Sequence, residues 1–177
     1  MTDAEERFDE LYRQHYEVIE RYVRRRIDEA AVSDAVAEVF TVAWRRIDEV
    51  PAGEARLWLF TVGRNVVANH VRGLGRAHRL AEKVAAQEIP VALDHADEVA
   101  ERLTVAAAFD ELGEIDQEVL RLVVWEGLTL RQAAGVLGCG VTGVAMRLRR
   151  ARRRLRQALR EGPTNEPVSA PVGSEQR

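Results

Sequence analysis

From Gly127 to Arg160 the chain carries nine arginines and not one acidic residue. Within that segment Val141, Val144, Leu148, Ala151, Leu155 and Ala158 recur at alternating spacings of three and four, which is one apolar stripe on a helix. Arg147, Arg149, Arg150, Arg152, Arg153, Arg154 and Arg156 cover the other faces. Like charges a turn apart repel, so such a helix calls for a polyanion. Upstream of it, Gly127 suits a left-handed position, and Thr129 with Gln132 three residues later reads as a capping box before Ala133, Val136 and Leu137. Gly138-Cys139-Gly140 then turns the chain. A capped short helix, a tight turn and a long basic helix make a helix-turn-helix. A helix fits the major groove of B-DNA, where Arg reaches guanine acceptors while its neighbours neutralise phosphate. Arg131, Thr142, Arg147, Arg149, Arg150 and Arg153 are the candidate duplex contacts. The competing reading, a merely solvated face in a helix bundle, expects both charge signs to be mixed.

Composition narrows the remaining classes. Of the chain's 177 residues, 46% are hydrophobic and 31% charged, enough apolar material for one or two domains with real cores. The net charge of −3 conceals a strong asymmetry, because Asp28 to Glu54 holds seven acids against only Arg45 and Arg46. All the basic residues but Lys83 are Arg. No apolar run approaches the roughly 20 residues of a membrane span, and the acidic start MTDAEE does not read as a signal peptide, so a cytoplasmic protein without membrane insertion is expected. Cys139 is the sole cysteine, which excludes an internal disulfide or a thiolate-cluster metal site. His15, His70, His78 and His95 show no ligand spacing, and no GxGxxG or GxxxxGK[ST] loop is present, so neither metal nor cofactor is expected. Asp110 with Glu111 and Asp97 with Glu98 are adjacent and face different ways on a helix, so no catalytic constellation emerges and no enzyme is expected.

Three amphipathic helices precede the basic block. Phe8, Leu11, Tyr12, Val18, Ile19, Tyr22 and Val23 predict a helix from about Glu5 to Ile27. Ser33 offers an N-cap for a second, with Asp34 in its first turn and Val36, Val39, Phe40, Ala43, Trp44 and Ile47 as its stripe up to Pro51. A third, from about Glu54 to Arg72, buries Leu57, Trp58, Val62, Val66 and Val71 and sets Thr61, Asn65, Asn69 and Arg72 along one polar face. Residues 76–104 have weak periodicity and read as a linker, which at about 3.3 Å per residue spans on the order of 95 Å when extended. Helical spacing resumes at Val105, Ala106, Phe109 and Leu112, and Asp116 is placed to cap the helix that carries Val119, Leu120, Val123 and Val124. The proline-rich polar end, residues 161–177, is expected to be disordered. The fold class is all-α, two small helical domains on a flexible tether, the second containing the helix-turn-helix.

The third helix combines Trp58, Thr61, Arg64, Asn65, Asn69 and Arg72. Stacking groups interleaved with amides and guanidinium suit unpaired bases, whose π-faces and edges are exposed. Read from these residues alone, Trp58 is equally a core residue, and Asn69 an ordinary surface one. The acidic second helix is either a solvated face or a docking surface for a basic or helical partner. Cys139 reads as a small buried hydrophobe.

The layout resembles a bacterial sigma factor of the extracytoplasmic-function group, the smallest members of the sigma-70 superfamily, over roughly residues 7–160. SDAVAEVFTVAWRRID is similar to the family's core-polymerase-binding segment, D-x-x-Q-E-x-F-x-x-x-W, carried here by Asp34, Glu38, Phe40 and Trp44, with Ala37 where glutamine is usual. ARLWLFTVGRNVVANHVR resembles the promoter-melting segment, W-L-x-x-I-A-R-N, in Trp58, Leu59, Arg64 and Asn65, with Gly63 for alanine and Asn69 where aspartate is common. The second block resembles the family's upstream-reading domain in Gly127, Leu137, Gly138, Val144, Arg147, Leu148, Arg150 and Ala151. It departs at Gly140, at Thr142-Gly143 and at Ala145-Met146.

The resemblance implies that residues 7–75 dock on the β′ clamp of core RNA polymerase and melt the promoter. They would capture a downstream-element base near Asn65 and the loop from Asp48 to Arg56. Residues 105–160 would grip the upstream duplex and meet the β flap. It also implies a separate anti-sigma factor. Two other readings stay open at this point: an autonomous helix-turn-helix regulator that binds duplex DNA without polymerase, and a helical interaction protein that binds no DNA.

Overall fold

The computed structural model describes residues 2–81 and 105–161. The last part of the expected linker, 82–104, and the tail from 162 lie outside the described residues. Every regular element among the described residues is helical, as the sequence reading expects, and the described residues fall into two compact units.

The first unit contains residues 2–81 together with 121–145. Its first helix, α1 (Asp3–Arg24), opens on a capping box between Thr2 and Glu5, with acids in its first turn and Arg21 and Arg24 in its last, so both ends complement the helix dipole. Helix α2 (Glu29–Arg45) follows, then a 3-10 turn over Ile47–Glu49. The sequence reading places the N-cap of α2 at Ser33, but the helix begins five residues earlier, with Asp28 in the extended cap conformation. The extra turn buries Val32, an apolar contact that outweighs the local capping preference of Ser33.

Helix α3 (Ala55–Ala81) runs 27 residues, about 40 Å, nine residues beyond its expected end at Arg72 and into the stretch read as linker. Gly73 and Gly75 weaken a helix but do not stop one, and no proline intervenes before Pro90. The three long helices pack on one another around Ile19, Tyr22, Val39, Leu59 and Phe60, all essentially inaccessible to solvent.

The later part of this unit starts with a π-helical turn, Arg121–Trp125. It closes through Glu126 N–H on the Arg121 carbonyl (3.1 Å) and Leu128 N–H on the Leu122 carbonyl (3.0 Å). Gly127, at φ 68°, supplies the left-handed residue that redirects the chain. The next helix of this unit, α6 (Leu130–Leu137), opens on the expected capping box of Thr129 and Gln132 and ends on left-handed Gly138. Cys139, expected to be buried, is exposed. Its N–H bonds back to the Ala134 carbonyl at 3.1 Å, which pins the turn by its backbone and leaves the thiol outside the core.

The second unit contains residues 105–120 and 146–161. Residues 105–110 form α4 and lead through Gly113 into α5 (Glu114–Leu120). The side chain of Gln117 donates to the carbonyls of Phe109 and Leu112, both at 3.1 Å, tying α4 to α5. Asp116, expected as a cap, lies inside the first turn of α5 and is buried. The long basic helix α7 (Val141–Glu161) begins in the first unit and continues in the second, burying Val144, Leu148 and Ala151 of its predicted stripe.

No described helix is long and apolar enough to cross a membrane, and among the described residues no His, Cys, Asp and Glu side chains cluster to hold a metal ion.

Candidate nucleic-acid and partner interfaces

Helix α3 turns Leu59, Val62, Val66 and Val67 into the core, so the intervening polar positions face outward. Thr61, Asn65, Asn69 and Arg72 are exposed along that face. Thr61 Oγ1 donates to the Leu57 carbonyl at 3.0 Å, and Arg72 Nη2 donates to Asn69 Oδ1 at 2.6 Å. The Asn65 amide meets no partner among the described residues. Arg64 is half-buried. Trp58 is half-buried too, with the Arg46 guanidinium 5.7 Å from its ring centroid. Arg46 is itself hydrogen-bonded to Glu49, which holds the Glu49 carboxyl below the usual carboxylate range.

A cleft of about 870 Å³ opens beside the start of α3. One wall carries Pro51, Glu54, Trp58 and Thr61, the other Thr129, Arg131 and Gln132. The expected base site near the Asp48–Arg56 loop thus coincides with a concavity at Pro51–Arg56, whereas Asn65 and Asn69 do not line it.

On α2, Asp34 and Glu38 are exposed and Trp44 is 44% exposed. Phe40 is buried at 4%. Its ring lies 4.7 Å from that of Tyr12 and 6.5 Å, edge-on, from Phe8, so it supports this surface from beneath. Phe8 also meets Trp44 at 5.2 Å, and Tyr12 meets Tyr16 at 5.0 Å. The aromatic surface therefore includes α1 residues that sequence reasoning did not single out. Their signal was available as aromatics at positions 8, 12 and 16, one turn apart. Glu38 Oε2 lies 3.2 Å from His70 Nε2, tying α2 to α3.

Among the candidate duplex contacts, Arg131, Thr142, Arg149, Arg150 and Arg153 are exposed. Arg147 is half-buried, with Nη1 3.2 Å from Asp116 Oδ1, and Arg150 lies 3.9 Å from the other carboxylate oxygen. Two guanidiniums of the basic helix thus share one buried carboxylate, which bonds to Arg147, a relation invisible in a sequence that separates Asp116 from Arg147 by 31 residues.

Glu126 was missed altogether. Its carboxylate receives Arg26 at 3.2 Å and Arg25 at 3.5 Å, and its carbonyl accepts from Arg56 Nη2 at 2.6 Å. Burial, and then the Arg56 charge, push His15 below the ordinary histidine value.

Known proteins are similar to this chain over most of its length. Residues 11–77 match the family described as Sigma-70 region 2, and residues 98–155 match Sigma-70, region 4. The chain is 35% identical over 141 residues to the RNA polymerase sigma factor CnrH of Cupriavidus metallidurans, covering 71% of this chain and 72% of that protein. It is 32% identical over 154 residues to the ECF RNA polymerase sigma factor SigL of Mycobacterium tuberculosis, covering 81% and 83%. A solved structure of CnrH in complex with the cytosolic domain of CnrY aligns with a TM-score of 0.63 at 27% identity, over 87% of this chain and 88% of that one. The fold is shared with RpoE of Bartonella quintana, solved in complex with the anti-sigma factor NepR (TM-score 0.63, 22% identity, 84% and 96% covered). With region 2 and region 4 in order and relatives matched over most of their length, the chain belongs to the extracytoplasmic-function group of sigma-70 family RNA polymerase sigma factors, the subunits that direct promoter-specific transcription.

Proposed function

We propose that the described surfaces divide the work of initiation as follows. Residues 7–75 dock on core RNA polymerase through Asp34, Glu38 and Trp44, with Phe40 holding the aromatic patch in shape. The outward row of α3, from Trp58 and Thr61 through Arg64, Asn65 and Asn69 to Arg72, receives the unpaired downstream element. Residues 105–160 read the upstream duplex with Arg131, Thr142, Arg147, Arg149, Arg150 and Arg153, next to the β flap. All of this is binding: unstacking a base costs a few kcal/mol, which contacts to the displaced base must offset, and no bond is made or broken in the protein.

The observation that carries this reading is the α3 row itself. An exposed amide at Asn65 without a partner among the described residues, between the hydroxyl of Thr61 and the Asn69–Arg72 pair, offers donors and acceptors to a base edge. The acids of α2 complement a basic partner surface. A separate anti-sigma factor is the further partner, supported by the CnrH relative being seen with the cytosolic domain of another protein, and the working compartment is the cytoplasm.

The test is transcription by purified core polymerase, with and without this protein, on a GC-rich promoter library with sequencing of transcript starts. Starts sharing two spaced motifs and dependent on the protein are expected, with loss of promoter opening in Asn65→Ala. Unchanged opening in that variant would remove Asn65 from the site. Tight duplex binding by the protein alone, with no new starts, would favour the autonomous regulator.

A further inference from the structure

Helices α2 and α3 pack on one another, with Val36 and Val39 of α2 and Val66 and Val67 of α3 buried. His70 follows Val66 and Val67 by four and three residues, so it stands at the margin of the same inward face of α3. From there its Nε2 reaches Glu38 Oε2 at 3.2 Å. A carboxylate oxygen only accepts, so Nε2 carries the hydrogen and donates it. The His70 side chain is 25% exposed and that of Glu38 47%. The other oxygen of Glu38, Oε1, meets no partner among the described residues. Asp34, one turn earlier on α2, is exposed and has no such anchor among the described residues.

We propose that His70 is a positioning residue for docking on core RNA polymerase. It holds Glu38 by one oxygen and leaves the other directed at the partner surface. The proposal rests on the assignment of Asp34, Glu38 and Trp44 to that docking surface.

The chemistry suits this role better than that of a clamp between helices. A partly exposed pair contributes little to stability, and α2 and α3 are already joined by buried apolar residues. Orientation is another matter. A glutamate free on the surface samples many rotamers, and an interface that immobilises such a side chain loses about three- to tenfold in affinity. Once His70 has fixed the carboxylate in the free protein, most of that loss falls outside the docking step. A short imidazole beside buried residues of a helix is a stiff anchor, unlike the long stem of Lys or Arg.

The test measures the affinity of each full-length variant for purified core RNA polymerase, by competition with the parent chain labelled at its exposed Cys139. His70→Ala is expected to weaken binding about three- to tenfold, and Glu38→Ala at least as much. The double variant should bind no more weakly than Glu38→Ala alone, because the two residues act as one unit. His70→Gln, which puts an amide donor in place of Nε2, should keep most of the parent affinity. Parent affinity in folded His70→Ala, with Glu38→Ala impaired, overturns the positioning role and leaves Glu38 in the docking surface. Parent affinity in Glu38→Ala overturns both. Losses that add in the double variant overturn the role as well, since His70 then acts independently of Glu38. If His70→Ala fails to fold, His70→Gln decides: parent-like affinity supports the role, and a loss as large as that of Glu38→Ala overturns it.

Discussion

The guanidinium of Arg26 lies on the face of Tyr22, 3.6 Å from the ring centroid, and the same group reaches across to Glu126. Tyr22 is fully buried, with Phe60 at 5.0 Å on another side. One aromatic ring therefore connects the core of the three long helices to the ion pair at the entrance of the helix-turn-helix.

That ring explains a departure from the family pattern. At Gly63, where alanine is usual, an added methyl would sit 3.3 Å from Tyr22 Cε1 and 3.4 Å from Cδ1, and Phe60 and Arg26 leave the ring little room to retreat. A mid-helix Gly→Ala change ordinarily gains up to about 1 kcal/mol. Here crowding should cancel that gain, and Gly63→Ala is expected to be neutral to about 1 kcal/mol destabilising by urea unfolding. Gly135→Ala in α6, where an added methyl meets nothing within 4 Å, should show the ordinary gain.

Stability and promoter melting should separate cleanly on α3. Phe60→Ala empties a fully buried site and is expected to cost about 3–5 kcal/mol. Asn65→Ala, on the exposed face, should stay within about 0.5 kcal/mol of the parent by the same unfolding measurement while abolishing promoter opening.

Asp116 is the carboxylate shared by Arg147 and Arg150. Asp116→Asn should lower stability by about 1–3 kcal/mol, since a buried charge-assisted bond is lost. It also releases guanidinium toward phosphate. In duplex-binding titrations the slope of log K against log salt should steepen by about 0.9 for each further phosphate that the freed arginines neutralise.

His15 is held below its ordinary value of about 6.5 by burial, with Arg56 adding to the effect. Above that value the imidazole is neutral in the folded and unfolded chains alike. As pH falls from there toward the lowered folded value, the unfolded chain takes up a proton that the folded one refuses, so stability is lost. His15→Gln should flatten this decline, measured as the difference in urea midpoints between pH 7.5 and about pH 5.5 in each protein.

Much of the fold was legible because it is local. Periodicity located α1, α2 and α3, the Thr129–Gln132 box located the start of α6, Gly127 marked a left-handed position that the backbone adopts, and Gly138-Cys139-Gly140 marked the turn after α6. Boundaries were less legible. The start of α2 was set by burial of Val32 rather than by the nearest capping residue, and α3 outran two glycines. The exposure of Cys139 depends on where a tight turn points its side chain, which composition does not reveal.

Residue order was enough for the all-helical class, the succession of a three-helix block and a basic helix-turn-helix, and the outward row of α3. Each depends on contacts within a few residues, where spacing and capping chemistry decide the outcome. Packing was needed for Phe40 to support the aromatic surface from within, for Asp116 to orient Arg147, and for Glu126 to meet Arg25, Arg26 and Arg56. Those relations join residues 28 to 101 positions apart in the chain. An ion pair or ring contact at such separation exists only when the fold has already brought the two groups together, and no local pattern encodes that meeting.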